Sequence, residues 1–342
     1  MVLLLAEAFP GAPLYTSLYH PPGTFAEFAE LDVRAAPINA LRPLRQRHRL
    51  ALPLLAPSFS RMQVVADVAV CSSSGWAHGA QVSGRKIVYC HTPARWLYQP
   101  ERYLRGRSPL LQSVAMLRPA LVRWDKAAAA TVHRYLANSS AVARRISSLY
   151  GVEAEILPPP PAVTPDGANT EVAGVPSEFL LCVSRLLPYK NVDAVVRALR
   201  TLPHEQLVIV GTGPQEAFLR TLAGSNVTLA GQVDDAQLRW LYERCSAVVA
   251  ASHEDFGLTP LEAASFGRPV AALRWGGFLD TIDEGRTGIF FDTPTPEAIA
   301  RAIGEVRAAH WSQSAIREHA ATFSRARFVH RLQEIVEEEL ER

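Results

Sequence analysis

The chain has 342 residues, 48% of them hydrophobic, enough for sizeable cores in about two domains of ordinary size. Its formal charge of +2 conceals an asymmetry: Met1–Tyr150 carries 18 Lys plus Arg against 7 Asp plus Glu, a balance of +11, while the remainder carries 17 against 26, a balance of −9. No apolar run approaches the roughly 18 residues of a membrane-spanning helix, and Met1-Val-Leu-Leu-Leu has neither the basic start nor the cleavage site of a signal peptide.

Cys71, Cys90, Cys182 and Cys245 form no C-x-x-C pair, which argues for small buried thiols in a reducing, cytoplasmic setting and against a disulfide scaffold or structural zinc. A basic half points to nucleic acid, a membrane or an anionic substrate. No nucleic-acid motif accompanies it, so no nucleic-acid partner is expected. Arg42, Arg45, Arg47 and Arg49, and the stretch Arg102–Arg123 with Leu104, Leu110, Leu111 and Met116 between its cations, suit peripheral association with an anionic membrane.

In chain order, Leu3–Phe9 reads as helix interior without an N-cap. Ala66–Cys71, Lys86–Cys90 and Tyr135–Asn138 read as strands and Ala141–Tyr150 as a helix. Residues 158–176, opening on a run of prolines, read as a linker. Beyond it strand and helix alternate. Phe179–Ser184, Leu207–Val210, Val227–Ala230, Ala247–Ala251, Pro269–Leu273 and Thr287–Phe291 are the strands. Val192–Leu199, Gln215–Leu222, Gln237–Arg244 capped by Asp235, Leu261–Phe266 and Pro296–Ala308 are the helices. Such alternation predicts an α/β fold with a parallel, doubly wound sheet. Residues 325–342 predict a charged final helix.

The most informative segment is His253–Thr281. Glu254 and Glu262 have seven residues between them, among them Phe256-Gly257-Leu258-Thr259-Pro260. The first glutamate ends a buried strand and the second falls in the first turn of the next helix, with Thr259 as its N-cap and Pro260 at the first helical position. Free amides at that terminus suit phosphate oxygens, and carboxylates suit hydroxyls, so a nucleotide sugar fits. Thr259 and Glu262 also satisfy a capping box, a purely structural role for Glu262. Ser184-Arg185 ends the first strand of this half and Lys190-Asn191 opens its helix, placing two cations where a leaving diphosphate needs them. Gly211-Thr-Gly213 lacks the third glycine of a dinucleotide fingerprint, which counts against a dehydrogenase.

E-x7-E with FG-x-T-P-x-E inside it resembles the donor-site signature of family-4 retaining glycosyltransferases. So does SRLLPYKN, at the place of that family's R-x4-K motif. Gly231-Gln232-Val233-Asp234 resembles the loop that packs on the nucleotide base, and Tyr89-Cys90-His91-Thr92-Pro93-Ala94-Arg95 resembles the H-T-P-x-R segment of bacterial mannosyl-type members. Ser72–Gly79 resembles the loop before it.

The resemblance implies a GT-B architecture, two Rossmann-like doubly wound domains facing across a cleft. Residues 1–157 would hold the acceptor, 177–324 the nucleotide sugar, and 325–342 would cross back to the first domain. It implies Glu254, Arg185, Lys190 and His91 as catalytic residues, and Ser184, Val233, Phe256, Gly257, Leu258, Thr259 and Glu262 as donor-binding ones. No metal or cofactor is implied. The donor would be GDP-mannose first, with UDP- or dTDP-sugars open, and the acceptor a glycan or lipid-linked sugar of cell-envelope polysaccharide. Trp275 stands where the family has a small residue, and the family's first strand and Gly-Gly loop have no counterpart in this sequence. That departure leaves a non-catalytic assembly protein as one alternative. A GT-B nucleotide-sugar epimerase is another.

Overall fold

A computed structural model describes residues 1–99 and 109–342, without the side chains of Arg49, Pro53 and residues 109–116. Arg102, Leu104, and the Arg49, Leu110, Leu111 and Met116 side chains of the basic segments therefore lie outside what is described. The chain divides into two compact units, Met1–Pro158 with Phe328–Arg342, and Pro159–Arg327. No described helix is long and apolar enough to cross a membrane.

Among its described residues the first unit holds eight strands: β1 (Leu14–Thr16), β2 (Val33–Ala35), β3 (Gln63–Val64), β4 (Val68–Ser73), β5 (Gln81–Val82), β6 (Arg85–Cys90), β7 (Arg134–Ala137) and β8 (Ala154–Ile156). Four of them make a parallel sheet in the order β4-β6-β7-β8, while β1 pairs with β2 and β3 with β5. Strand β6 is central and reads as a continuous apolar run, because both of its faces are covered: Ile87, Val88, Tyr89 and Cys90 are all buried. Among the described residues β4 pairs only with β6 and β1 only with β2, so each presents one unpaired ladder edge. In keeping with that edge position, only Ser73 of β4 is buried.

One face of this sheet is closed by two helices from opposite ends of the chain. The helix Val2–Ala8 contributes Leu4, Leu5 and Ala8, and the helix Arg325–Leu340 contributes Phe328, Leu332 and Ile335, against Ile87, Tyr89 and Leu136. Each buried Leu, Ile or Phe side chain among them is worth roughly 1.5–3 kcal/mol. The charges of the last helix find partners here: Arg331 donates to Glu155 at 2.8 Å and Arg85 to the buried Glu339 at 2.9 Å.

The second unit holds β9 (Leu180–Val183), β10 (Leu207–Val210), β11 (Val227–Gly231), β12 (Ala247–Ala250), β13 (Val270–Leu273) and β14 (Gly288–Phe291) in one parallel sheet, order β11-β10-β9-β12-β13-β14. Side chains alternate between its faces, as strand geometry requires. Leu180, Cys182, Ile209 and Val249 enter one apolar layer; Leu181, Val208, Val210 and Val248 enter the other. Strand order reverses between β9 and β12, and open α/β sheets bind ligands outside the carboxyl ends at such a reversal.

Three local expectations change. The helix after β12 is Leu258–Ser265, capped by Gly257 with φ 90° and no side-chain cap, so Thr259 and Pro260 lie inside the first turn and no capping box forms. Only glycine adopts that φ readily, and it lets the helix begin earlier than Thr259 alone would. The capping box of this unit belongs to Asp234 and Gln237, one residue before the expected cap. The proline-rich stretch is no free linker from Val163 onward. Val163 is buried in the second layer, and Arg239 donates to the carbonyls of Thr164 and Ala168.

Candidate active site

The carboxyl ends of β9 and β12 gather the expected polar residues of the second unit. Strand β9 runs into Ser184 and the exposed Arg185; β12 runs into Ser252, His253 and Glu254. Lys190, buried, forms an ion pair through Nζ with Glu254 Oε1. The Ser252 hydroxyl donates to the same carboxylate oxygen at 3.0 Å. Arg185 donates to the Tyr189 hydroxyl at 3.3 Å, and Lys190 lies over that ring at 5.1 Å. The loop between Ser184 and Lys190 thus holds one cation inside and one outside.

What places Lys190 is its neighbour. Asn191 is the only described non-glycine residue with positive φ, at 55°. That conformation is unfavourable for most side chains and least so for Asn. Its side chain offsets the cost by donating to the Ala251 carbonyl at 2.8 Å, which fastens the β9 loop to the end of β12. Sequence reading missed this role and that of Ser252. An Asn just before a helix, and a Ser two residues before Glu254, were the available signals.

Beside Glu254 the first turn of Leu258–Ser265 begins. The amides of Leu258 and Thr259 have no acceptor within their own helix, and Leu258 is exposed. Phe256 is buried beneath the loop. Val233 follows β11 and packs half-buried against the second apolar layer.

Glu262 stands apart from the other candidates. It is buried, its Oε2 accepts from the Tyr242 hydroxyl at 2.8 Å, and its carboxylate also takes backbone hydrogen bonds from Ala162 and Val163. Burial raises its carboxyl above the ordinary range, with the three hydrogen bonds opposing. As the chain is folded, Glu262 joins helix and incoming segment. Tyr242 lies 20 residues away, so no local signal in the sequence announces it.

His91 belongs to the other unit. It follows β6, its Nε2 meets the Ser72 hydroxyl at 2.9 Å, and its carbonyl accepts from Asn138 at 3.1 Å. Burial, then the positive amino terminus, pushes the imidazole down to about 4, so it is neutral near pH 7. Among the described residues no group of three or more His, Cys, Asp or Glu is placed to hold a metal ion.

The sequence family described as glycosyl transferases group 1 matches residues 170–322. This segment is similar to group 1 glycosyl transferases. A D-inositol 3-phosphate glycosyltransferase of Mycolicibacterium gilvum is 35% identical over 163 residues, 43% of this chain and 36% of the relative. A GDP-mannose-dependent alpha-(1-6)-phosphatidylinositol monomannoside mannosyltransferase of Mycolicibacterium smegmatis is 30% identical over 146 residues, 38% of each. The chain therefore spans well under half of these relatives.

Solved structures extend the likeness to the whole fold. A sucrose-phosphate synthase from Thermosynechococcus elongatus superposes with a TM-score of 0.70 at 18% identity, over 98% of this chain and 90% of that one. The Anabaena protein Alr3699/HepE, solved with UDP, gives 0.70 at 16% identity, over 98% and 95%. The fold is GT-B.

Proposed function

We propose that this GT-B chain transfers a hexose from a nucleotide diphosphate sugar to a glycan or lipid-linked acceptor, with retention of configuration and without a metal. The Lys190–Glu254 pair beside unpaired helix amides carries the reading. Lys190 and Arg185 are the cations for the leaving diphosphate, with the amides of Leu258 and Thr259 binding its oxygens. Glu254, released as Lys190 turns to the diphosphate, accepts from sugar hydroxyls. Val233 and Ser184 border the nucleoside. In the first unit, neutral His91 is a group able to hydrogen-bond a sugar hydroxyl.

Glu262 meets the ribose only if the Ala162–Val163 segment yields its place, since the carboxylate is enclosed in the unliganded fold. Mannose is the first choice of sugar. One relative is named for GDP-mannose, while a structural neighbour holds UDP, so both bases belong in the first test.

That test is a thermal-shift screen of GDP, UDP and dTDP with their sugars. A ligand at about 100 times its dissociation constant adds about 2.7 kcal/mol of apparent stability. One base should shift the melting temperature, and its sugar should be consumed only when an acceptor is added. Binding without turnover would favour a non-catalytic member, and turnover of the sugar with no acceptor would favour an epimerase. No shift with any of them would refute the proposal.

A further inference from the structure

The Lys190–Glu254 pair is held from behind on both sides. Lys190 ends the short helical turn Pro188–Lys190, and its amide donates to the Leu187 carbonyl at 2.9 Å. The Asn191 side chain fastens that turn to the Ala251 carbonyl. On the other side, the loop after β13 lies directly on the Glu254 backbone. Gly277 donates to the Glu254 carbonyl at 3.1 Å, and a Cβ at Gly276 would stand 2.0 Å from the same oxygen. The loops after β9, β12 and β13 therefore fix both backbones, and the pair parts only by rotation of its side chains.

The two partners are unequally placed. The Lys190 side chain is 8% exposed and that of Glu254 26%, so the cation lies inside and the carboxylate reaches solvent. Among the described residues Glu254 is the one carboxylate that Lys190 meets, through the oxygen that also accepts from Ser252. A carboxylate oxygen on an ammonium group stands where a phosphate oxygen would stand, since both are anionic acceptors for the same protons. A diphosphate drawn to Lys190 thus meets a cation already neutralised, with a like charge beside it. When Lys190 turns to the diphosphate, Glu254 retains the Ser252 hydroxyl and loses its counterion, which is costly for a partly buried carboxylate. A sugar bonded to the distal phosphate brings hydroxyl donors that offset the loss. A nucleoside diphosphate ends there in phosphate oxygens, which only accept.

We propose that Glu254 is a built-in rival of the leaving diphosphate, so that the pair makes the site favour the intact sugar nucleotide over the nucleoside diphosphate left after transfer. Return of Glu254 to Lys190 then helps to expel that product. The part played by the sugar rests on the transferase reading above; the rivalry for Lys190 rests on the pair alone.

Glu254→Gln removes the charge and keeps the shape and one acceptor oxygen. Calorimetric titrations of inorganic pyrophosphate, UDP, GDP, UDP-glucose and GDP-mannose into wild type and variant read the effect. The variant should bind pyrophosphate and the diphosphate of the right base about tenfold tighter, because a like charge is gone. The matching sugar nucleotide should gain nothing or weaken, since its hydroxyls lose a charged acceptor. Its affinity relative to the diphosphate should therefore fall about tenfold or more.

Lysine gives a second readout. Among 35 Lys plus Arg the lysines are Lys86, Lys126 and Lys190, so isotope labelling of lysine at Cε and Nζ yields three signals from the whole chain. Lys126 is exposed, and Lys86 donates to the His78 carbonyl at 3.0 Å and the Thr131 hydroxyl at 2.7 Å; both serve as controls. Lys126→Arg and Lys190→Met assign the signals. Saturating diphosphate should move the Lys190 signal of the wild type and leave the other two still, and this readout decides if Glu254→Gln fails to fold. A diphosphate that binds the variant no tighter, a similar gain for diphosphate and sugar nucleotide, or an unmoved Lys190 signal overturns the inference and leaves the transferase reading standing. Binding of none of the nucleotides to either form refutes both.

Discussion

The Asn191 side chain donates to the Ala251 carbonyl at 2.8 Å, tying the loop after β9 to the end of β12 from a backbone conformation with φ 55°. This tie holds Lys190 where it meets Glu254. Asn191→Gly relieves the backbone cost but removes the tie, so it should lose about 1 kcal/mol of stability. Asn191→Ala loses the tie and keeps the strained φ, adding roughly 1–2 kcal/mol more. Both should weaken nucleoside diphosphate binding. Urea unfolding and calorimetric titration check this, and variants indistinguishable from wild type in both would remove the tie from the site.

Lys190 and Glu254 should be unequal in stability and equal in necessity. Glu254→Ala leaves a buried cation without its counterion, a loss on the order of 3 kcal/mol. Lys190→Met leaves a carboxylate that is 26% exposed and still accepts from Ser252, which costs less. Each should lower turnover about 100- to 1,000-fold. The double variant should regain stability over Glu254→Ala alone and no activity. Equal stability losses for the two single variants would contradict the asymmetry.

Tyr242→Phe removes a donor from a buried carboxyl whose pKa burial already raises. A carboxyl with a raised folded pKa contributes most below its unfolded value and loses that contribution as pH rises through the folded value. The variant should therefore cost about 1–3 kcal/mol, more at pH 8 than at pH 5. A loss independent of pH would mean that Glu262 does not change its charge between those two pH values. If diphosphate affinity also stays constant in Glu262→Gln while stability falls, Glu262 acts only as a structural joint.

His91 gives the opposite dependence. Its folded value of about 4 lies below the ordinary 6.5, so between the two the unfolded chain binds a proton that the folded chain does not. Stability from this group is complete above pH 6.5 and declines as pH falls toward 4, by on the order of 3 kcal/mol. His91→Gln should flatten that part of the stability profile. Chemical shifts of the imidazole should show no protonation near pH 6.5, and a midpoint there would end the argument.

The basic first half should bring the chain to anionic vesicles. Exposed Arg42 and Arg47 lie among the exposed Leu41, Leu50 and Leu54. Phosphatidylserine-containing vesicles should sediment the protein at low salt and release it as ionic strength shortens the screening length to about 10 Å at 0.1 M. Neutral vesicles should not. No sedimentation at low salt would reject the surface.

Much of the second unit is determined by the sequence alone. Strand and helix alternate there with short connections, and periodicity is a local property that each segment displays by itself. The same holds for the cations around Lys190 and the carboxylate of Glu254, which follow strand ends by a few residues. Tertiary structure decided what depends on distant partners. Glu262 looks like a ligand-facing carboxylate until Tyr242, Ala162 and Val163 enclose it. The helix start moved because Gly257 turned the backbone, which no side-chain pattern records. Trp76, Trp96 and Trp124 meet ring against ring, though their three segments of sequence show only unrelated aromatic residues. Side-chain partnership across tens of residues is set by how layers pack, and packing is written only in the folded chain.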